Sequence, residues 1–455
     1  MTIAAVATPP GEGAIAIVRV SGPGARGVAR RVLRRPDRTP LPLSPRSALL
    51  ALAVDHRDET TLDEVLALWM PGPASYTRED VLEIQCHGGH AAARAVLAAC
   101  IEAGARHARP GEFTLRAFLN GRLDLVQAEA VLDVIRARSE EALRVHEELL
   151  GGHLSREVAA WQEALAQPLA LLEAHLDFPD EDDVGPLDPG AVIPDLEAVA
   201  RQMEEKLSTY AWGRTVREGF TAALVGSPNT GKSSLLNRML GEDRAIVTEA
   251  PGTTRDLVEG WTQAGGVPLR LVDTAGLREP GDAAEHEGVR RALGAMERAH
   301  CVLLVCDGSR PLTPEEAARA RELRGRPGLV PVLNKVDLGR VPRDDLARAC
   351  GREPVEVSAL TGLGVPALLD MLGRMAQDGR GPGSEAPLTR ERHRALVAEA
   401  LGCLREAVGV LREGDYPEVA ASQVHAARRS LAELLGWGAP EDVLEAIFSR
   451  FCIGK

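Results

Sequence analysis

A chain of 455 residues is too long for one ordinary core, and roughly two to four domains are expected. Its balance of 45% apolar and 26% charged residues is that of soluble globular proteins, and its net charge of -13 argues against a chain that coats nucleic acid non-specifically. Seven cysteines (Cys86, Cys100, Cys301, Cys306, Cys350, Cys403 and Cys452) include no Cys-x-x-Cys pair, which speaks against a disulfide framework or a zinc site. With no signal peptide and no membrane-length apolar run, the expectation is a cytoplasmic protein with no membrane partner.

Two local biases stand out. Residues 1–50 carry eight arginines against Glu12 and Asp37, either a basic patch or an ordinary arginine-rich surface. Of the 53 Lys and Arg residues, only Lys206, Lys232, Lys335 and Lys455 are lysine. A lysine kept against that bias suggests a need for a compact ammonium.

Residues 1–117 read as mixed α/β, with strand-like runs at Ile15, Ile17 and Val20 and at Val65–Trp69, punctuated by Gly11–Gly13, Gly22–Gly24 and Gly88–Gly89. From Leu123 the spacing turns helical, through Val131, Ile135, Ala142, Val145 and Leu149, then Val158, Trp161, Leu165, Leu169, Leu172 and Leu176. Pro168 should kink or break the second of these runs. Residues 177–190, acidic and proline-containing, read as a loop, and a third helix is expected from about Pro194 to Tyr210. Residues 220–377 alternate helical runs with strands at Phe220–Val225, Leu269–Val272, Val302–Cys306, Val330–Leu333 and Val355–Val357, the pattern of a mostly parallel sheet covered on both faces. After a Gly/Pro-rich linker at 378–387, helical spacing returns at Leu396, Ala400, Leu404, Val408 and Leu411. The expected architecture is multi-domain α/β: an N-terminal α/β domain (1–117), a discontinuous α-helical domain (118–212 and 378–455), and an inserted Ras-like P-loop domain (213–377).

The inserted segment carries the chemistry. Gly226-Ser-Pro-Asn-Thr-Gly-Lys232-Ser233 matches GxxxxGK[ST] between an apolar strand and the helical run from Ser234. Backbone N–H groups around Asn229, Thr230 and Gly231 would cradle phosphates, Lys232 would reach the β and γ phosphates, and Ser233 would ligate Mg²⁺. Asp273-Thr274-Ala275-Gly276 follows a strand; its aspartate would act on Mg²⁺ through water and Gly276 would meet the γ-phosphate. Asn334-Lys335-Val336-Asp337 follows another strand, and Asp337 can accept from guanine N1 and N2, a donor pair adenine lacks. Ser358-Ala359 suits the loop that contacts guanine O6. Between the first two motifs, Thr254 is the expected second Mg²⁺ ligand, and Thr248–Thr253 a switch loop. Four motifs in order imply GTP with Mg²⁺.

Leu277 occupies the position where small signalling GTPases place a water-orienting glutamine, and no arginine finger can be assigned. Something else must place the water and neutralise developing charge. Asn229 could ligate a monovalent cation, with the switch-loop carbonyls of Thr248, Ala250 and Thr253 completing the shell. It could equally be a turn-forming asparagine after Pro228.

Beyond these motifs the whole chain resembles the MnmE (TrmE) family of tRNA uridine-modifying GTPases. The resemblance is carried by Ala7–Gly13, Val18–Gly22, Tyr76–Glu83, His87-Gly88-Gly89, Ala108–Phe113, Arg116–Asn120, Pro251–Asp256, Asp273–Arg278 and the tail Phe451-Cys452-Ile453-Gly454-Lys455. It implies a K⁺-activated homodimer that works with the flavoprotein MnmG to place a carboxymethylaminomethyl or aminomethyl group on C5 of the tRNA wobble uridine. The one-carbon donor would be a tetrahydrofolate derivative, 5-formyl or 5,10-methylene, held by the N-terminal domain. Arg19, Glu83, Arg122 and Lys455 fall on the family's folate-contacting positions; Arg122 departs from the lysine expected there. Glu285 falls on the family's water-orienting glutamate. Cys452 falls on a cysteine needed for modification, and whether it attacks carbon or only packs stays open. Asp177–Glu181 also matches and receives no chemistry. The rival readings are a ribosome-assembly GTPase switch without carbon chemistry and a stand-alone folate aminomethyltransferase with a regulatory GTPase domain. One P-loop and no GxxG clamp in the C-terminal region count against the first.

Overall fold

A computed structural model describes residues 1–177, 187–241, 258–273, 294, 296–378, 380, 386–414 and 416–455. The chain divides into two compact units: Met1–Leu132 with Leu149–Gln162 and Arg428–Lys455, and Asp133–Glu148 with Glu163–Ala427.

The first unit is built on a seven-stranded sheet of order β3-β4-β5-β6-β2-β1-β7. Its strands are β1 (Ile3–Val6), β2 (Ile15–Ser21), β3 (Leu33–Arg34), β4 (Ala48–Val54), β5 (Thr61–Met70), β6 (Val81–His87) and β7 (Arg106–His107). Period-2 alternation decides what each face does. Ala16, Val18 and Val20 of β2 join Val65, Leu82 and Ile84 in a core closed by Val28, Val32, Val96 and Cys100 of the helices Ala25–Val32 and His90–Glu102. The opposite register of β2 carries Arg19, which pairs across the sheet with Ala5 of β1 and Glu83 of β6. Ile3 and Ala5 pack there against Ala108 and Phe113, beside Tyr76. Phe113 lies in the helix Glu112–Leu119, which starts at Gly111 with φ +68. An ideal Cβ on Gly111 would stand 2.6 Å from the Phe448 carbonyl, so the glycine is what lets the C-terminal segment approach. Phe448 and Phe451 are 3% and 5% exposed and pack against Leu125, Ala128 and Leu132, with ring centroids 5.6 Å apart.

In the second unit the helices Pro189–Ser208 and Glu391–Glu413 pack together. The first starts earlier than expected. Asp188 caps it, its carboxylate accepting from Gly190 N at 2.9 Å, with Pro189 at the first helical position; that cap-and-proline pair was the true start signal, and the helix continues through Pro194. Lys206, the one lysine outside a motif or terminus, is 9% exposed and donates to the Ala386 carbonyl at 3.2 Å. The expected break near Pro168 falls at Leu165, between the helices His153–Ala164 and Ala166–Asp177, with Pro168 in the first turn of the latter.

The same unit holds a six-stranded sheet of order β13-β12-β11-β8-β10-β9. All five expected strands are present: β8 (Phe220–Val225), β10 (Val267–Asp273), β11 (Cys301–Asp307), β12 (Leu329–Asn334) and β13 (Val355–Glu356). They run parallel, and a sixth strand not anticipated, β9 (Val258–Ala264), adds antiparallel to β10. Its polar composition hid it; the available signal was Gly265-Gly266, whose φ values of +58 and +80 make the two-residue hairpin turn. This is the Ras-like arrangement, with every motif loop leaving the carboxyl end of a parallel strand.

Candidate functional site

β8 delivers the P-loop. Gly231, at φ +86, caps the helix Lys232–Leu240, and its missing side chain admits Asn334, whose Nδ2 would lie 2.4 Å from a Cβ there. Lys232 is 5% exposed, and its ammonium sits inside the loop, donating to the carbonyls of Gly226 at 2.9 Å and Ser227 at 2.7 Å. Ser233 Oγ donates to Asp273 Oδ2 at 2.7 Å, joining the first two motifs. Asp273 is fully buried. A hydroxyl and a buried carboxylate side by side are oxygen donors suited to a hard divalent cation, and they fit Mg²⁺ held directly by Ser233 and at one remove by Asp273. Asn229 adopts φ +64, a conformation that favours asparagine whatever else the residue does.

β12 delivers the base-reading end. Asn334, 1% exposed, donates to Thr230 O at 2.9 Å and accepts from Ala359 N at 3.0 Å, tying the P-loop to the Ser358-Ala359 loop. Lys335 Nζ donates to Asn229 O at 2.8 Å and to Asp307 Oδ2 at 2.6 Å. Burial pushes the Asp307 carboxyl up, but hydrogen bonds from Lys335 and Ser309 outweigh it and leave the pKa below its usual value. Asp337 stands exposed beside this cluster, open to a base. Two contributors escaped sequence reading. Asp307 ends β11 in register with Asn334, one residue past the apolar run that marked the strand. Arg238 leaves the P-loop helix to clamp the base loop through the carbonyls of Ala359 at 2.9 Å and Leu360 at 2.6 Å, and nothing in the sequence distinguished it from other surface arginines.

In the first unit the C-terminal tail converges with β2 and β6. Arg19 Nε donates to Glu83 Oε1 at 2.8 Å, and Arg19 NH1 to the Gly454 carbonyl at 3.2 Å. The guanidinium carbon lies 5.4 Å from the Tyr76 ring centroid and 5.7 Å from that of Phe113. Gly454, at φ +97, runs against the Val6 carbonyl, which a Cβ would approach to 2.4 Å. Phe113 N donates to Lys455 O at 3.2 Å, and Gly111 N to Cys452 O at 3.4 Å. Burial, and then the Arg19 charge, hold the Lys455 ammonium below its ordinary pKa despite the opposing pull of Glu83. Arg122 sits one layer back, donating to Tyr76 O at 2.7 Å and lying 4.8 Å from the Tyr76 ring. Cys452 is exposed. Ile453, at 60% exposed, does not anchor the tail; Phe448 and Phe451 do. The walls supplied by Tyr76 and Phe113 were also not singled out, although both lie in the residue blocks that carried the family resemblance.

Thr248, Ala250, Thr253, Thr254, Thr274, Ala275, Gly276 and Glu285 lie outside the described residues. So does Leu277.

The Gly226–Ser233 loop and the Asn334–Asp337 loop leave the carboxyl ends of parallel strands β8 and β12 and are tied together through Asn334, the arrangement of P-loop GTPases. The nucleotide-binding part of the chain is therefore a Ras-like P-loop GTPase. Residues 125–452 match the model for the MnmE helical domain, and residues 2–122 match that for the GTP-binding protein TrmE N-terminus. Tested against known sequences, the chain is 44% identical to the tRNA modification GTPase MnmE of Heliobacterium modesticaldum and 44% identical to that of Geobacter metallireducens, covering 100% of this chain and 99% of each relative. Among solved structures, the G domain of the T. maritima FeoB iron transporter is 26% identical, covering 34% of this chain and 98% of that one, with a TM-score of 0.27. The chain belongs to the MnmE family.

Proposed function

We propose that this GTPase is activated by K⁺ and, with the flavoprotein MnmG, builds a carboxymethylaminomethyl or aminomethyl group on C5 of the tRNA wobble uridine, as a homodimer drawing one carbon from a tetrahydrofolate derivative. The observation that carries the reading is the meeting of Arg19, Glu83 and the last residues of the chain. An ion pair offering guanidinium donors and a carboxylate acceptor suits the edge of a heteroaromatic ring, and Tyr76 and Phe113 supply apolar walls. Tetrahydrofolate, when bound, would supply the carbon unit; Arg19, Glu83 and Lys455 would hold it, and Arg122 would brace Tyr76. A ribosome-assembly switch has no use for such a cluster. Cells lacking the protein should lose the modified wobble uridine and regain it from a plasmid copy; unchanged nucleosides in the knockout would remove the proposal.

In the GTPase part, Lys232 would offset phosphate charge, Ser233 and Thr254 would hold Mg²⁺, and Asn229 with the carbonyls of Thr248, Ala250 and Thr253 would hold K⁺, which would supply the positive charge an arginine finger provides elsewhere. Potassium should accelerate hydrolysis and sodium should not, because cation size must suit that shell. Asn229→Ala should lose most of the stimulation and keep GTP binding. Equal rates in KCl and NaCl at matched ionic strength would refute this.

Glu285 would orient the attacking water. Glu285→Ala should lower kcat about 10²-fold, the usual scale for a positioned acid or base, with little change in GTP affinity. An unchanged kcat would assign the water to another residue.

A further inference from the structure

One contact in the second unit joins the helical segment to the nucleotide-binding sheet in a form that serves coupling better than stability. Arg138 follows the helix Leu125–Arg136, and its guanidinium carbon lies 3.8 Å from the centroid of the Trp261 ring. That is stacking distance, and although the residue as a whole is half-buried, its Nη1 is buried with no hydrogen-bond partner among the described residues. A charged donor left unpaired is costly, and native structures keep such groups where an arrangement has work to do beyond packing. A second cation, Arg270, lies 6.0 Å from the same ring, held by Glu259.

Trp261 is well placed to sense the nucleotide. It belongs to β9, where the described chain resumes after residues 242–257, which include Thr248, Thr253 and Thr254. β9 pairs residue by residue with β10, Trp261 opposite Arg270, and that ladder ends at Asp273, the partner of Ser233. The neighbouring Gly260 lies against Leu240, the last residue of the P-loop helix; a Cβ there would come within 2.4 Å of Leu240 Cδ1. The Trp261 ring rests on Gly219, whose φ of +83 turns the chain from the helix Tyr210–Glu218 into β8 and whose ideal Cβ would stand 2.5 Å from Trp261 Cζ3. Successive residues of one strand thus touch the P-loop helix, the hinge glycine and an arginine of the helical segment.

Around this point the helical segment is already pinned. Asp133, 6% exposed, takes two hydrogen bonds from Arg390 NH2 at 2.8 and 2.9 Å, and lies 3.6 Å from Arg217 Nε. Arg217 and Arg390 flank the points where the chain enters and leaves the nucleotide-binding part. A bidentate ion pair fixes position; a lone stack with an unsatisfied N–H can be exchanged for another arrangement at small cost.

We infer that Arg138 is a positioning residue that couples the nucleotide state, read through Trp261 on β9, to the helical segment, and through it to the tRNA chemistry. The inference rests on the proposed function for its downstream effect, but not for its first link. Arg138→Gln removes the charge and the wide planar stack. Arg138→Lys keeps the charge and cannot stack flat, so it should behave like Gln if geometry carries the signal.

The test uses the full chain with its tryptophans replaced by 5-fluorotryptophan, the Trp261 resonance assigned with Trp261→Phe. In the unsubstituted protein that resonance should differ between GDP and a non-hydrolysable GTP analogue. Arg138→Gln and Arg138→Lys should bring the two positions together, keep the GTP hydrolysis rate within about threefold, and lower wobble-uridine modification at least tenfold. An identical Trp261 signal in both nucleotide states of the unsubstituted protein would overturn the inference, as would full modification by Arg138→Gln. If Arg138→Gln does not fold, Trp261→Leu carries the same test by rate and modification alone: hydrolysis kept with modification lost supports coupling, both kept refutes it. Failure of the unsubstituted protein to modify tRNA with MnmG would count against the functional reading, and the fluorine comparison would still decide this one.

Discussion

Deleting residues 452–455 should abolish wobble-uridine modification and leave the proposed K⁺-stimulated GTP hydrolysis near its original rate. The chain should survive the deletion. What is lost from the fold is the pair of hydrogen bonds from Gly111 N and Phe113 N to the tail carbonyls and the Arg19 contact to Gly454, each worth about 1 kcal/mol net. What remains is Phe448 and Phe451, both almost fully buried, each contributing about 1.5–3 kcal/mol. The nucleotide site shares no residue with the tail, so hydrolysis should not notice the loss. The pocket should. Without Lys455, the remaining folate-contacting cations expected there are Arg19, tied to Glu83, and Arg122, engaged with Tyr76. Folate affinity should therefore drop in the deletion. Cys452→Ser should separate the roles: it leaves Lys455 in place and should keep folate affinity while losing modification. Nucleoside analysis of tRNA incubated with MnmG and each variant decides the matter. Normal modified-uridine levels from the deletion variant would show the tail to be dispensable.

How much of this was legible beforehand depended on whether the signal was local. The P-loop, the Asp273 motif and Asn334–Asp337 are short runs whose backbone demands glycines and strand ends at fixed spacing, so they could be read residue by residue. The lysine bias led to Lys232, which sits inside the P-loop, and Lys335, which bridges Asn229 and Asp307, while the exception, Lys206, is a buried residue that donates to a carbonyl. β9 was missed because its composition is polar, and the Gly265-Gly266 turn was the better guide. Asp307 and Arg238 were invisible for a different reason. Each acts on a loop far along the chain, Arg238 on a carbonyl 121 residues away, and no local pattern records such a partner. The meeting of Arg19 with Gly454, 435 residues apart, is of the same kind. Only the family resemblance grouped those residues, and only the fold shows how: the alternate register of β2 turns Arg19 to the face where Phe113 and the tail lie.

Asp337→Asn should change the nucleotide on which the protein runs. Asp337 follows a turn in which Lys335 takes φ +62 and donates to Asp307, so the side chain at 337 is presented by a backbone that the substitution does not disturb. A carboxylate offers acceptors to both N1–H and the exocyclic amine of guanine. An asparagine offers one acceptor and one donor group; against guanine it loses one bond and sets its own N–H₂ against the base amine. A charge-assisted hydrogen bond is worth about 1.5–3 kcal/mol, so its loss alone should lower GTP affinity on the order of 10- to 100-fold, and the opposed N–H groups lower it further. Xanthine carries a carbonyl where guanine carries the amine, and that carbonyl accepts from the asparagine, so XTP should bind in its place. Hydrolysis should follow the base: kcat/KM collapses for GTP and rises for XTP, while K⁺ dependence, set at the other end of the nucleotide, is retained. Folate affinity should be unchanged, since the tail pocket shares no residue with the nucleotide site. If modification is driven by the nucleotide cycle, tRNA treated with this variant and MnmG should be modified with XTP and not with GTP. Undiminished GTP turnover by Asp337→Asn would mean that another group reads the base, and modification at the normal rate without XTP would mean that the nucleotide cycle is not what drives it.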